Sequence, residues 1–292
     1  MMALLALLGC SEQGLSEVRL DAIAVVLGDF DDMRTPLTAL DIATTPYDGF
    51  IVQAVYEPED GRSQRGEMAA DIDTLLTAVD EKGNYAIQLY NAVFVASGAR
   101  GFGAGQYNNA LLEDNMILAD EIKLQRLCDF ADGGGSLVVS DWAYEIVERC
   151  WPDAVRFFGD DTGLPDAAQT GAAEQDVYAT VTDEKLVEAL GAAVSIDYEY
   201  SAATIIESVG GETEVLLRGT LEHQPSADKP FETLDDVPLL VRFTANRGHV
   251  VYGNFHWGRQ TPSVAQRLLL ESVEGLRVGA GDESDTAVES AR

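Results

Sequence analysis

Asp29, Asp31, Asp32 and Asp141 are the residues whose types and spacing best suit chemistry. The first three follow the apolar run Asp21 to Gly28, and Asp141 follows Ser136 to Ser140. If both runs are parallel strands, the four carboxylates gather at one carboxyl edge, where open α/β sheets bind ligands. Hard cations such as Mg²⁺ or Ca²⁺ favour oxygen sets of this kind, so Asp29, Asp31, Asp32 and Asp141 form a candidate metal site. Helix capping by Asp31 or Asp32 is the competing expectation. Ser140 and His256 also close apolar runs, which makes Ser140, Asp141 and His256 the catalytic candidates. A serine nucleophile needs a base within reach and an acid to orient that base, and no such acid is evident. Capping of the following helix is the other role open to Ser140.

The loop Gly98 to Gly105 exposes glycine N–H groups that suit an anion, and Arg100 is its nearby cation. No Lys-Ser/Thr follows, which excludes a Walker-type loop. Trp142, Tyr107 and Trp257 would wall a sugar or peptide pocket, or else belong to the core. The candidate ligand-binding set is therefore Asp29, Asp32, Arg100, Asn108, Asp141, Trp142 and His256. Mixed charge at one crevice suits a small polar, neutral or zwitterionic ligand.

Alternating elements position these residues. Asp21 to Gly28, Asn91 to Gly98 and Ser136 to Ser140 read as strands buried on both faces. A strand is also expected at Gly49 to Tyr56, with helices at Met33 to Ile42, Glu67 to Val79, Asp120 to Asp132 and Trp142 to Cys150. Gly133-Gly134-Gly135 stops the third of these helices. This order predicts a doubly wound, mostly parallel, flavodoxin-like sheet flanked by helices. After Pro152 a β-rich extension is expected, with strands at Val177 to Val181, Val194 to Val209 and Thr213 to Leu221 around a short helix, Glu184 to Leu190. A hairpin (Val237 to Ala245, Arg247 to Phe255) and an amphipathic helix (Pro262 to Leu276) close the domain.

The 292 residues are 46% hydrophobic, enough for a substantial core. Fifty acidic against 19 basic residues give a formal charge of −31, which repels phosphate backbones and excludes nucleic acid as a partner. Ala3 to Leu8 followed by Gly9-Cys10 has the pattern of a lipoprotein export signal, far shorter than the about 20 apolar residues of a membrane span. No basic residue precedes the apolar run, which fits a start codon assigned too late. The expected organisation is a signal over 1–10 with lipidation at Cys10, a tether over 11–18, an α/β domain over 19–278 and a disordered acidic tail over 279–292. Ser11 after the cysteine favours the outer membrane of the cell envelope, with the lipid anchor as the membrane contact. Cys128 and Cys150 would be able to pair in an oxidising compartment, but on apolar-periodic helices free buried thiols are the expectation. No metal-type cysteine spacing occurs.

Three stretches resemble the class I glutamine amidotransferase-like superfamily, most of all its trehalose-utilisation (ThuA-like) branch. Tyr90 to Gly101 resembles its strand entering a glycine-rich loop. Phe130 to Trp142 resembles its helix, Gly-Gly stop and strand into the nucleophile elbow, and Arg247 to His256 its late strand ending in the catalytic histidine. The resemblance implies a thiolate on the elbow, activated by a histidine that a carboxylate orients. Here Ser140-Asp141-Trp142 stands at the elbow, without cysteine or flanking glycines, and Gly258 stands where the family has glutamate. Glutamine amidotransfer is therefore not expected. The reading that follows is a lipid-anchored, non-catalytic domain that requires no cofactor and binds a small polar ligand or cell-envelope component. The alternative is a metal-assisted or serine hydrolase acting on a carbohydrate or amide at the same crevice.

Overall fold

The computed structural model describes residues 22–49, 70–99, 117, 120–158, 175–199, 203–223 and 229–273. Cys10, the 11–18 tether, Arg100, Tyr107, Asn108 and the 279–292 tail lie outside the described residues, as does nearly all of the strand expected at Gly49 to Tyr56.

The strands are β1 (Ile23–Leu27), β2 (Thr44–Asp48), β3 (Ala70–Asp71), β4 (Ala92–Val95), β5 (Ser136–Ser140), β6 (Val155–Phe157), β7 (Gln175–Val181), β8 (Ala193–Tyr198), β9 (Ile206–Val209), β10 (Glu214–His223), β11 (Glu232–Ala245) and β12 (Gly248–Gly253). The α-helices are α1 (Arg34–Thr38), α2 (Ile72–Thr77), α3 (Glu121–Asp132), α4 (Glu145–Cys150), α5 (Glu184–Leu190) and α6 (Pro262–Ser272). Among the described residues, ten strands form one sheet in the order β3-β2-β1-β4-β5-β12-β11-β10-β7-β8, and β6 pairs with β9 in a separate ribbon. From β3 to β12 neighbours are parallel; from β12 to β8 they are antiparallel. This is the expected parallel α/β sheet with a β-rich extension.

Side-chain alternation explains why β1 is apolar throughout. Ala24 and Val26 enter one core, whereas Ile23, Val25 and Leu27 enter the other. Leu75, Leu76, Leu127 and Ile146 bring α2, α3 and α4 to the first face; Leu37, Leu186 and Leu268 bring α1, α5 and α6 to the second. Chain order reverses between β1 and β4, which flank the switch point.

Two expectations need correction, and one strand stands where none was expected. That strand is Thr44–Asp48, just before the segment Gly49 to Tyr56, and it includes Pro46. Proline is tolerated there because β2 lies near the sheet margin, where β3 pairs only with Tyr47 and Asp48. Val194 to Val209 is not one strand: β8 belongs to the large sheet and β9 to the ribbon. Between them the Thr204 amide donates to the Asp141 carboxylate at 2.8 Å rather than to a ladder, which carries the chain across the sheet edge. Finally, Cys128 and Cys150 form a disulfide, with Cα atoms 5.5 Å apart. It joins α3 to the last residue of α4, two helices packed against each other.

Candidate functional site

The site begins with a close approach of two loops at the switch point. Asp29 N–H donates to the Gly98 carbonyl and Phe30 N–H to that of Ser97, both at 3.1 Å. A Cβ on Gly28 would lie 2.1 Å from the Ser97 oxygen, so only glycine lets β1 turn against this loop.

Asp31 leaves the first loop and enters the interior. Its Oδ2 accepts from Ser140 Oγ at 2.7 Å and from Trp257 N–H at 3.0 Å; its Oδ1 accepts from Gly258 N–H at 2.8 Å. One carboxylate thus ties together the ends of β1, β5 and β12. Burial raises its pKa, opposed by the His256 charge and by these hydrogen bonds.

Asp141 stands at the turn from β5 into the 3₁₀ turn Asp141–Ala143, with φ +40°. A non-glycine residue in this left-handed region is strained, as expected of a residue on a strand-to-helix elbow. The protein holds its carboxylate from all sides. Oδ1 accepts from the Thr204 N–H at 2.8 Å and the Thr204 hydroxyl at 3.2 Å. Oδ2 lies 3.2 Å from both Ser97 Oγ and His256 Nε2. Tyr252 OH donates to the Asp141 carbonyl at 3.0 Å. Burial, with the Asp141 charge behind it, pushes the Tyr198 and Tyr252 hydroxyls well above the usual phenol range, so both remain neutral donors.

His256 is flanked by acids. Beyond Asp141, its Nδ1 faces Glu199 Oε1 at 3.8 Å, and Glu199 is in turn ion-paired to Arg259. A carboxylate thus faces each ring nitrogen, Asp141 at hydrogen-bond distance from Nε2 and Glu199 at ion-pair distance from Nδ1. Gln260 fixes the turn by donating to the His256 carbonyl at 2.8 Å while bonding both Asp197 backbone groups at 3.0 Å. Asp141 is 2% exposed, His256 7% and Ser97 0%, so the cluster is interior.

Asp31, Asp141 and His256 stand at the ends of β1, β5 and β12, and Asp29 follows β1 with its N–H on the Gly98 carbonyl. Some expectations fail. Ser140 does not partner His256 and makes no helix-capping bond; its hydroxyl is committed to Asp31. Asp32 turns back on its own loop, accepting from Arg34 and Thr35. Among the described residues no three acidic, histidine or cysteine side chains are arranged to hold a metal ion, because Asp31, Asp32 and Asp141 face protein donors instead. Trp142 and Trp257 belong to opposite cores and do not form one pocket wall. The carboxylate that faces His256 Nδ1 is that of Glu199, just past the end of β8, at 3.8 Å. At Gly258 a Cβ would lie 2.6 Å from the Asp32 carbonyl, so the Asp31–Asp32 turn occupies the space a side chain would need. Ser97, Glu199, Thr204 and Gln260 went unread; only Ser97, at a strand end before a glycine, carried a visible signal.

No protein-family model and no curated protein matches the chain. Solved structures resemble it in general chain course. A protein described as ThuA-like from Bacteroides uniformis aligns at 11% identity over 88% of this chain and 92% of its own, with a TM-score of 0.45. PurLQS from Thermotoga maritima aligns at 12% identity over 86% and 98%, also at 0.45. A β-galactosidase from Bacillus circulans aligns at 11% identity over 86% of this chain but 30% of its own, at 0.43. Residue roles at the site rest on the geometry alone.

Proposed function

We propose that this chain is an amidotransferase-like α/β domain without thiol chemistry, tethered in the cell envelope through Cys10 and acting by binding rather than by turnover. The observation that carries the reading is the buried Asp141–His256 pair at 3.2 Å. Where the resemblance calls for a nucleophilic cysteine, the elbow holds a carboxylate that Thr204, Ser97 and His256 already engage. Asp141 occupies the Nε2 side of His256, on which a general base would meet its nucleophile. The two cysteines of the domain are joined in a disulfide, which supports an oxidising compartment outside the cytoplasm and leaves no free thiol in the described domain. A small polar ligand or envelope component at the carboxyl edge is the partner this reading favours.

Ammonia release from glutamine tests the chemistry. Wild-type protein is expected to release none above background, and release that disappears in Asp141→Ala or His256→Ala would overturn the reading. Metabolic acyl labelling tests the anchor: label on wild type but not on Cys10→Ser is expected.

One observation favours a second reading, serine hydrolysis. Ser97 Oγ lies 3.2 Å from His256 Nε2, with Glu199 behind the imidazole, a nucleophile–base–acid order. Against it, Ser97 is fully buried and donates its proton to Asp141. Fluorophosphonate labelling lost in Ser97→Ala would select this reading.

A further inference from the structure

Away from the carboxyl edge, β9 and the β10–β11 ribbon enclose a cleft of about 520 Å³, within the size range of small-ligand sites. Phe158, Ile205, Val209 and Leu234 supply an apolar wall, and among the described residues Arg218 is the single cation in the lining. The polar end of the cleft is built by a bulge. Gly219 pairs with Val237 and Leu221 with Leu234, so β11 carries one extra residue opposite Thr220. The bulge places Asp236 at φ +57°, a strained value for a non-glycine residue and a feature that clusters at ligand clamps. It also re-aims two carboxylates. Asp235 accepts from Thr220 Oγ1 at 3.0 Å, and Asp236 meets Arg218 Nη1 through its carbonyl at 2.9 Å and its carboxylate at 3.3 Å. Only Nη1 of Arg218 is engaged among the described residues, which leaves the other face of its guanidinium fork for a bidentate partner.

We propose that this cleft binds a small zwitterion with an apolar body, of the class of an apolar α-amino acid. Its carboxylate pairs with Arg218, its ammonium with the Asp235 carboxylate, and its side chain lies against Phe158, Ile205 and Val209. The acidic rim, with Glu207 and Asp236 beside Asp235, disfavours a simple anion, while Arg218 disfavours a simple cation; a molecule with both charges satisfies both ends. The inference stands apart from the carboxyl-edge site and does not depend on it.

The experiment is calorimetric titration of the full chain with three probes: L-phenylalanine, 3-phenylpropionate, which lacks the ammonium, and phenethylamine, which lacks the carboxylate. L-Phenylalanine is expected to bind at least about tenfold more tightly than either analogue, the order of effect of one charge-assisted contact. Arg218→Met should weaken L-phenylalanine and 3-phenylpropionate about tenfold and leave phenethylamine unchanged. Asp235→Asn, an exposed position whose loss spares the fold, should do the reverse for the two analogues. Equal binding of all three probes, no binding of L-phenylalanine at millimolar concentration, or affinities indifferent to both substitutions would overturn the proposal.

Discussion

The Asp141 carboxylate and the His256 imidazole meet at 3.2 Å across the ends of β5 and β12, adjacent parallel strands whose register brings Ser140 beside Gly253. Where a thiol hydrolase needs a nucleophile beside its histidine, this contact joins the imidazole to a carboxylate. Its partners reach the loop after β4 through Ser97, the crossover after β8 through Thr204 and Glu199, and, on the neighbouring Ser140, the loop after β1 through Asp31.

Gly258→Glu, which restores the residue the resemblance expects, should destabilise the fold rather than supply an orienting acid. The new side chain meets the Asp32 carbonyl, a backbone atom unable to move aside cheaply, at a cost of about 1–3 kcal/mol. Urea unfolding of the variant measures this; unchanged stability would mean that the Asp31–Asp32 turn yields.

Asp31 gives a pH signature. Its folded pKa is raised by burial above the unfolded value near 3.9, so the folded state takes up the proton first. The stabilisation is full below the unfolded value and is lost as pH rises through the folded one. Wild type should therefore gain on Asp31→Asn as pH is lowered from neutrality toward about 4. A stability gap between the two that stays flat over this interval would contradict the assignment.

His223 gives the opposite sign. Its ring is fully buried at the end of β10 against Phe158, and desolvation lowers its pKa, with Glu232 opposing weakly from 3.9 Å. A neutral folded histidine contributes stability above its unfolded pKa near 6.5 that is lost as pH falls through the folded value. His223→Phe should flatten the stability–pH curve below about 6.5, and a curve that keeps the wild-type slope would assign the loss elsewhere.

The Cys128–Cys150 bond should contribute about 2–4 kcal/mol, mainly by restricting the unfolded chain. Reductant is expected to lower the urea midpoint of wild type and to leave that of a Cys128→Ala/Cys150→Ala variant unmoved.

What the sequence made legible follows from local signals. Continuous apolar runs gave β1, β4 and β5, and Gly133 to Gly135 marked the end of α3 to within a residue. Asp31 and His256 were visible because each closes such a run. Glu199 was not, because apolar residues on both sides of it read as one strand, and the break depends on a long-range bond between Thr204 and Asp141, 63 residues apart in sequence. The disulfide was missed for a similar reason: helical periodicity says that a cysteine faces inward, not which partner α3 meets when α4 packs beside it. The partner of Ser140 was not legible because a strand-end serine has the same local pattern whether it caps a helix or donates to a buried aspartate from another loop.

A double-mutant cycle between Asp141 and His256 tests the central claim most directly. Unfolding free energies of wild type, Asp141→Asn, His256→Gln and the double variant isolate the pair from the contacts each residue makes alone. A structural ion pair predicts two destabilised single variants and a coupling of about 1–3 kcal/mol, with the double variant less damaged than the sum. Additive losses, with coupling below about 0.5 kcal/mol, would contradict the claim and leave His256 free for other work at the elbow.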